Sequence, residues 1–193
     1  MFRMAENSDA DEALMLRFAG GDVLAFETLY RRHELKVWRY FYRSVSNQAT
    51  ADDLLQEVWM AVSQAARRYQ PSARFTTWLF TLAHHRLVDA YRRARPLQSL
   101  DVAHVDGVAW LDKLPAAASV DPANQIESSQ NMAILLGAVS ALPSQQRMAF
   151  LLQAEGELSV EEIAVATAVS FETAKSRLRY ARARLKQVLQ EQV

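Results

Sequence analysis

Between Leu158 and Leu189 the residues leave the chain little choice but two helices joined by a tight turn. Ser159 with Glu162 three places on forms a capping box, in which each side chain satisfies a free backbone N–H of the other residue, so a helix starts there. A turn follows around Ala168. From Ser170 onward, Ala174, Leu178, Ala181 and Leu185 fall on one stripe at helical spacing, and this stripe seats a second helix on its domain. The opposite side carries Glu172, Lys175, Ser176, Arg179 and Lys186, with Thr173, Arg177, Tyr180 and Arg184 along one edge and Arg182 along the other. A short acidic helix, a turn and a longer cationic helix are the parts of a helix-turn-helix, whose second helix enters the DNA major groove. Its exposed face is short-chain polar first and cationic later, the order in which the first residues read base edges and the rest touch phosphate.

The net charge of zero conceals a segregation. Residues 170–186 hold six Lys or Arg against Glu172 alone, whereas residues 96–127 hold Lys113 against five carboxylates, Asp101, Asp106, Asp112, Asp121 and Glu127. One end suits phosphate and the middle does not. Lys and Arg also complement a helix macrodipole, but that argument favours only the last turn. With no Cys in the chain, disulfides and thiolate metal sites are excluded, which fits a reducing, cytoplasmic setting. No stretch has the apolar length of a membrane span, so no membrane insertion is expected.

Taken in order, the chain reads as all-α. Residues Asp9 to Phe18 form a short helix with Ala13, Leu14 and Phe18 inward, stopped at Gly20-Gly21. Asp22 suits the N-cap of a second helix reaching about Arg43. Thr50 and Asp53 resemble a capping box for a third, Ala51 to Tyr69, with Leu54, Val58, Ala61, Val62 and Ala65 on its apolar face. Another face of that helix, Asp53, Gln56, Glu57, Met60 and Gln64, is acidic and amide-rich, and reads either as solvated or as a docking face. Pro71 breaks the helix, and a fourth begins near Phe75 and runs to Arg93. Around that break cluster Arg67, Arg68, Tyr69, Arg74, Phe75 and Trp78, a mixture of cations and π faces of the kind that holds single-stranded nucleic acid, or alternatively core aromatics with a basic rim. Residues 96–125 read as an acidic linker, dividing the chain into a unit over residues 1–95 and another over 126–193. In the second unit Pro143 ends one helix, Ser144 suits the cap of the next, Gln145 to Gln153, and Glu155-Gly156-Glu157 reads as a turn.

Two groups of motifs together resemble the extracytoplasmic-function sigma factors of bacterial RNA polymerase. The first is Asp52-Asp53-Leu54-Leu55-Gln56-Glu57-Val58-Trp59, Phe75-Thr76-Thr77-Trp78-Leu79 and Asp89-Ala90-Tyr91-Arg92-Arg93. The second is Ala141-Leu142-Pro143, Leu158-Ser159-Val160-Glu161-Glu162-Ile163-Ala164 and Thr173-Ala174-Lys175-Ser176-Arg177-Leu178. The resemblance implies two small helical domains, sigma-2-like and sigma-4-like, and a chain that directs promoter-specific transcription without catalysis or cofactor. It implies that Asp53, Gln56, Glu57 and Met60 bind the clamp helices of the largest subunit of core RNA polymerase, with the flap as a further contact. It assigns Arg67, Arg68, Tyr69, Arg74, Thr77, Trp78, His85 and Arg92 to single-stranded minus-ten DNA, and Thr173, Lys175, Ser176, Arg177, Arg179 and Arg182 to duplex minus-thirty-five DNA. Family members are often held by an anti-sigma factor, a further partner the resemblance implies. The chain departs from the family at His85, where Asn is common, and at Ala168, where Gly is common; an Ala at positive φ costs about 1 kcal/mol.

Two other readings compete. A conventional helix-turn-helix repressor or activator would share the C-terminal half and use the N-terminal half for sensing or dimerisation. A metal enzyme could be built on His85 and Asp89, with His84 and His104 nearby, but two ligands fall short of the three or four that zinc requires.

Overall fold

The computed structural model describes residues 9–94 and 132–190, and all regular structure among them is helical. The first unit comprises α1 (Asp11–Ala19), α2 (Val23–Val45), α3 (Gln48–Ala65), a 3-10 turn (Ala66–Arg68) and α4 (Phe75–Arg93). The second comprises α5, described over residues 132–140, then α6 (Ser144–Gly156), α7 (Val160–Ala166) and α8 (Phe171–Gln190). The linker expected at 96–125 and both domain limits beside it lie outside the described residues, as does His104.

Asp22 caps α2 as its sequence position implies, accepting the N–H groups of Leu24 and Ala25 at 3.1 and 3.3 Å. Its other carboxylate oxygen takes Arg17 of α1 at 2.7 Å, and Gly21 at φ 102° reverses the chain between the two helices. The inward face of α1 differs from expectation, since Met15 is buried beside Leu14 while Ala13 is exposed. The longer thioether fills space that a methyl would leave empty.

α3 begins three residues earlier than Ala51. Ser46 takes a left-handed φ of 54°, and Asn47 caps the helix by accepting the Thr50 N–H at 2.9 Å, leaving Thr50 inside the first turn instead of at its cap. The helix ends at Ala65, where the last turn tightens to 3-10 before Pro71. Arg74 offers no side-chain cap to α4; Glu12 of α1 reaches across and accepts the Phe75 N–H at 2.5 Å.

In the second unit Ser144 is the first helical residue, preceded by Pro143, and makes no cap. α6 runs past Gln153 to Gly156, so Glu155 and Gly156 are helical and the turn is displaced. Glu157 at φ 56° terminates it, with the Leu158 N–H reaching back to the Leu152 carbonyl in a Schellman pattern. The capping box is present: Ser159 Oγ accepts the Glu162 N–H at 3.2 Å, and Glu162 accepts the Ser159 N–H at 2.7 Å. On α8 the stripe Ala174, Leu178, Ala181 and Leu185 is buried, as its spacing predicts.

The two units pack against each other, α6 on α2 and α4, and α7 on α4. Gly156 makes the approach possible, because a Cβ there would lie 2.8 Å from Cγ of Phe80 on α4. Beside it Glu155, 4 % exposed, accepts Arg39 Nε at 2.8 Å and also pairs with Arg43. Lys36 meets Glu157 at 2.6 Å. Arg74 meets Glu162 at 2.7 Å and donates to the Glu157 carbonyl at 3.0 Å, and the Thr77 hydroxyl donates to Glu162 at 2.6 Å.

Ala168 stands at φ 52° in the turn between α7 and α8. Because only glycine visits that region without a Cβ clash, Ala168→Gly is expected to raise the unfolding free energy by up to about 1 kcal/mol in denaturant titration. An unchanged or lower value would mean the turn carries no strain.

Candidate polymerase and nucleic-acid interfaces

The inward side of α3 is buried through Leu54, Val58, Ala61 and Val62, which turns Asp53, Gln56 and Met60 outward. Met60 is 63 % exposed, a large apolar group among acidic and amide neighbours. Glu57 is partly covered, and Arg93 of α4 approaches both its oxygens at 3.3 Å. An exposed Met in a polar strip is a feature of adaptable protein contacts, since the thioether packs against varied shapes.

The group expected at the minus-ten strand divides in two. Arg67 and Arg68 on the 3-10 turn, His85 and Arg92 on α4 are exposed, and Arg92 pairs loosely with Asp89 at 3.6 Å. Tyr69, by contrast, is 8 % exposed and packs edge-on against Phe75 and Trp78 with ring centroids 6.3 and 5.1 Å apart. Burial, with Glu12 and Asp11 nearby, pushes its hydroxyl up to about 12, so it stays protonated and within the core of the first unit. Thr77 is also buried, against Glu162, and Trp78 is half-buried within the same aromatic cluster. His84 and His85 do not converge. His84 is buried with Nδ1 3.0 Å from the Tyr40 hydroxyl, and burial, then the charges of His85 and Arg177, hold it neutral down to about pH 4. No group of three or more metal-ligating side chains occurs among the described residues.

On α8 the cationic face is open. Lys175 is exposed, with Nζ 5.7 Å from the Phe171 ring, and Arg179 lies 4.9 Å over the ring of Tyr180, itself 54 % exposed. Thr173 shares a 2.8 Å hydrogen bond with Ser170, whose Oγ also accepts the Thr173 N–H at 3.2 Å and caps the helix. Ser176 is half-buried beside them. Arg182 donates to Gln153 at 2.5 Å. Arg177 turns away from the open face, half-buried with its guanidinium on Gln145, and burial lowers its pKa. The roles of Arg39, Arg43, Glu155 and Glu162 at the junction of the units carried no sequence signal, because their partners lie 85 or more residues away.

Residues 29–96 match the family described as Sigma-70 region 2, and residues 132–185 match Sigma-70, region 4. The RNA polymerase sigma factor CarQ of Myxococcus xanthus is 33 % identical over 92 % of this chain and 96 % of its own length. The chain belongs to the ECF sigma factors. A second relative, the ECF RNA polymerase sigma factor RpoE of Cereibacter sphaeroides, is 33 % identical over 86 % of this chain and 87 % of that one. Among solved structures the fold is shared with CnrH in complex with the cytosolic domain of CnrY (TM-score 0.64, 22 % identity, covering 96 % of this chain and all of that one). It is shared also with the sigma factor RpoE of Bartonella quintana in complex with the anti-sigma factor NepR (TM-score 0.61, 19 % identity, 86 % and 96 % covered). As an alternative sigma factor this chain binds core RNA polymerase and promoter DNA and directs promoter-specific transcription initiation. No helix among the described residues of the sigma factor is long and apolar enough to cross a membrane.

In this sigma factor Glu162 joins the capping box to the junction between units. The hydrogen-bonded Arg74 guanidinium, opposed in part by burial and helped by Thr77 and the Ser159 N–H, holds its carboxyl at about 2 instead of the usual 4.5. A carboxyl lowered by folding contributes stability above its unfolded pKa and loses it as pH falls through the folded one. The stability difference between wild type and Glu162→Gln in urea titrations is therefore expected to be constant above about pH 5.5 and to shrink steadily below about 4.5. A difference independent of pH would remove the ion pair as its source.

Proposed function

We propose that the sigma factor divides its work by helix face. The acidic and amide strip of α3, Asp53, Gln56, Glu57 and Met60, docks on the clamp helices of the polymerase largest subunit, and the second unit meets the flap. Arg67, Arg68 and Arg74, with Trp78, His85 and Arg92 on α4, follow the non-template strand of the minus-ten element, while Tyr69 supports that surface from within. Thr77 joins them once its carboxylate partner withdraws. Thr173, Lys175, Ser176 and Arg179 on α8 read the minus-thirty-five duplex, with Arg182 on phosphate and Arg177 holding α8 to its own unit. The observation that carries this reading is the exposed pair Lys175 and Arg179 on a helix whose opposite stripe is wholly buried. Only such a rigidly seated helix can present the same cations to one register of base edges.

On this reading the protein works in the cytoplasm, where polymerase and promoters are, and catalyses nothing itself. The same reading divides the chain into units over 1–95 and 126–193 with a linker over 96–125, a division supported by two separate matched regions, 29–96 and 132–185. The complex solved for the Bartonella quintana RpoE with the anti-sigma factor NepR supports an anti-sigma factor as a further partner.

Replacing Lys175 or Arg179 by Ala is expected to weaken binding to upstream promoter duplex by about 1–3 kcal/mol in a fluorescence-anisotropy titration if that side chain makes a bidentate base contact. Unchanged promoter selectivity would contradict the assignment. The double variant Gln56→Ala, Glu57→Ala should lose affinity for core polymerase in a pull-down or biolayer measurement while binding the upstream duplex normally. Equal loss of both would indicate misfolding instead of a docking face.

A further inference from the structure

Burial on α8 begins later than the helix does. Its apolar stripe starts at Ala174, yet the helix opens on Phe171, an aromatic ring that is 41 % exposed. The first turn holds that ring in a fixed place, because Ser170 Oγ accepts the Thr173 N–H at 3.2 Å and the Ser170 carbonyl accepts the Ala174 N–H at 3.0 Å. Lys175 lies one turn further on, with Nζ 5.7 Å from the ring centroid and 3.8 Å from a Glu172 oxygen. The ring is thus flanked by a cation and an anion at the leading end of the helix. Tyr180, the other exposed ring of α8, carries a hydroxyl and lies under Arg179 at 4.9 Å, so it needs no apolar partner.

In a recognition helix it is the N-terminal residues that reach base edges. Those edges present donors and acceptors in the major groove, with one apolar exception, the C5-methyl group of thymine. We propose that Phe171 is a further specificity-determining residue for the upstream element, packing its ring on a thymine methyl close to the base pair that Lys175 contacts. The inference rests on the reading of α8 as the helix that meets duplex DNA. Four residues of helix rise about 6 Å, so the two contacts fall within about two base-pair steps of each other. The methylene stem of Lys175, laid along the ring, helps to keep water from the methyl while its ammonium stays polar-facing. Selectivity at that step then comes from shape and burial, in contrast to the hydrogen bonding of its neighbours.

The test uses the full chain and the duplex upstream element of a promoter located by transcription-start mapping. Each thymine of either strand is replaced in turn by uracil, which lacks only the methyl. Fluorescence-anisotropy titrations give the ratio of thymine to uracil affinity at every position. In the wild type, one thymine or two adjacent ones are expected to bind about fourfold more weakly as uracil, the worth of one methyl group removed from water. Phe171→Ala should bring that ratio to one. A partly unfolded variant cannot imitate this result, since unfolded chain lowers both affinities by the same factor and leaves their ratio unchanged.

A wild type that binds every uracil duplex as well as its thymine counterpart overturns the proposal, as does a ratio that survives Phe171→Ala. In either case, weaker binding of the thymine duplex by Lys175→Ala and Arg179→Ala leaves α8 as the duplex reader and rejects the methyl contact alone. No weakening in those two variants rejects the reading of α8 itself.

Discussion

A carboxylate can be buried only if its charge is met, and Glu155 is the place where this chain meets that condition across its two halves. Neither half alone satisfies it. Its oxygens face Arg39 and Arg43, one helical turn apart on α2, so the second unit is fixed in rotation as well as in distance. Such an arrangement adds little net stability over an apolar contact, because desolvation offsets most of the attraction. What it supplies is registration. With α6 set by that anchor, Gly156 falls on Phe80 and the capping-box Glu162 falls on Arg74 and Thr77 at the start of α4.

The start of α4 gathers anions because its chain sequence offers no cap of its own. Arg74 precedes it, and its first free N–H groups attract carboxylates through hydrogen bonding and the helix dipole. Glu12 of α1 accepts one of them, the Phe75 N–H, while Glu162 of α7 takes the neighbouring side chains, the Arg74 guanidinium and the Thr77 hydroxyl. The surface that the family resemblance assigns to an extruded DNA strand is thus, in the isolated chain, a place where two carboxylates already sit.

Most of the fold could be read from spacing. The stripe on α8, the capping box at Ser159, the cap at Asp22 and the extent of α4 all follow from local rules acting over three or four residues, and all are found in the structure. The misplacements share one cause. At Asn47, Glu157 and Met15, a neighbouring left-handed residue or a tertiary contact chose among locally comparable options, moving a cap by three residues, a helix end by three and an inward position from Ala13 to Met15. The candidate site was legible where a face was defined by its own helix, as for Gln56 or Lys175. It was not legible at Tyr69, whose ring suits stacking on a base and packing on Trp78 equally well, nor at the Glu155 and Glu162 partners, which no local pattern links to α2 and α4.

Ala168 bends the chain into α8 against its own backbone preference, so the angle between α7 and α8 is not a property of the turn. It is imposed by the capped α7 on one side and by the buried stripe of α8 on the other. The aim of α8, the helix proposed to read DNA, is therefore a collective quantity of the whole second unit. Transplanted into another scaffold as a bare helix-turn-helix segment, these residues would keep their charges and lose their bearing.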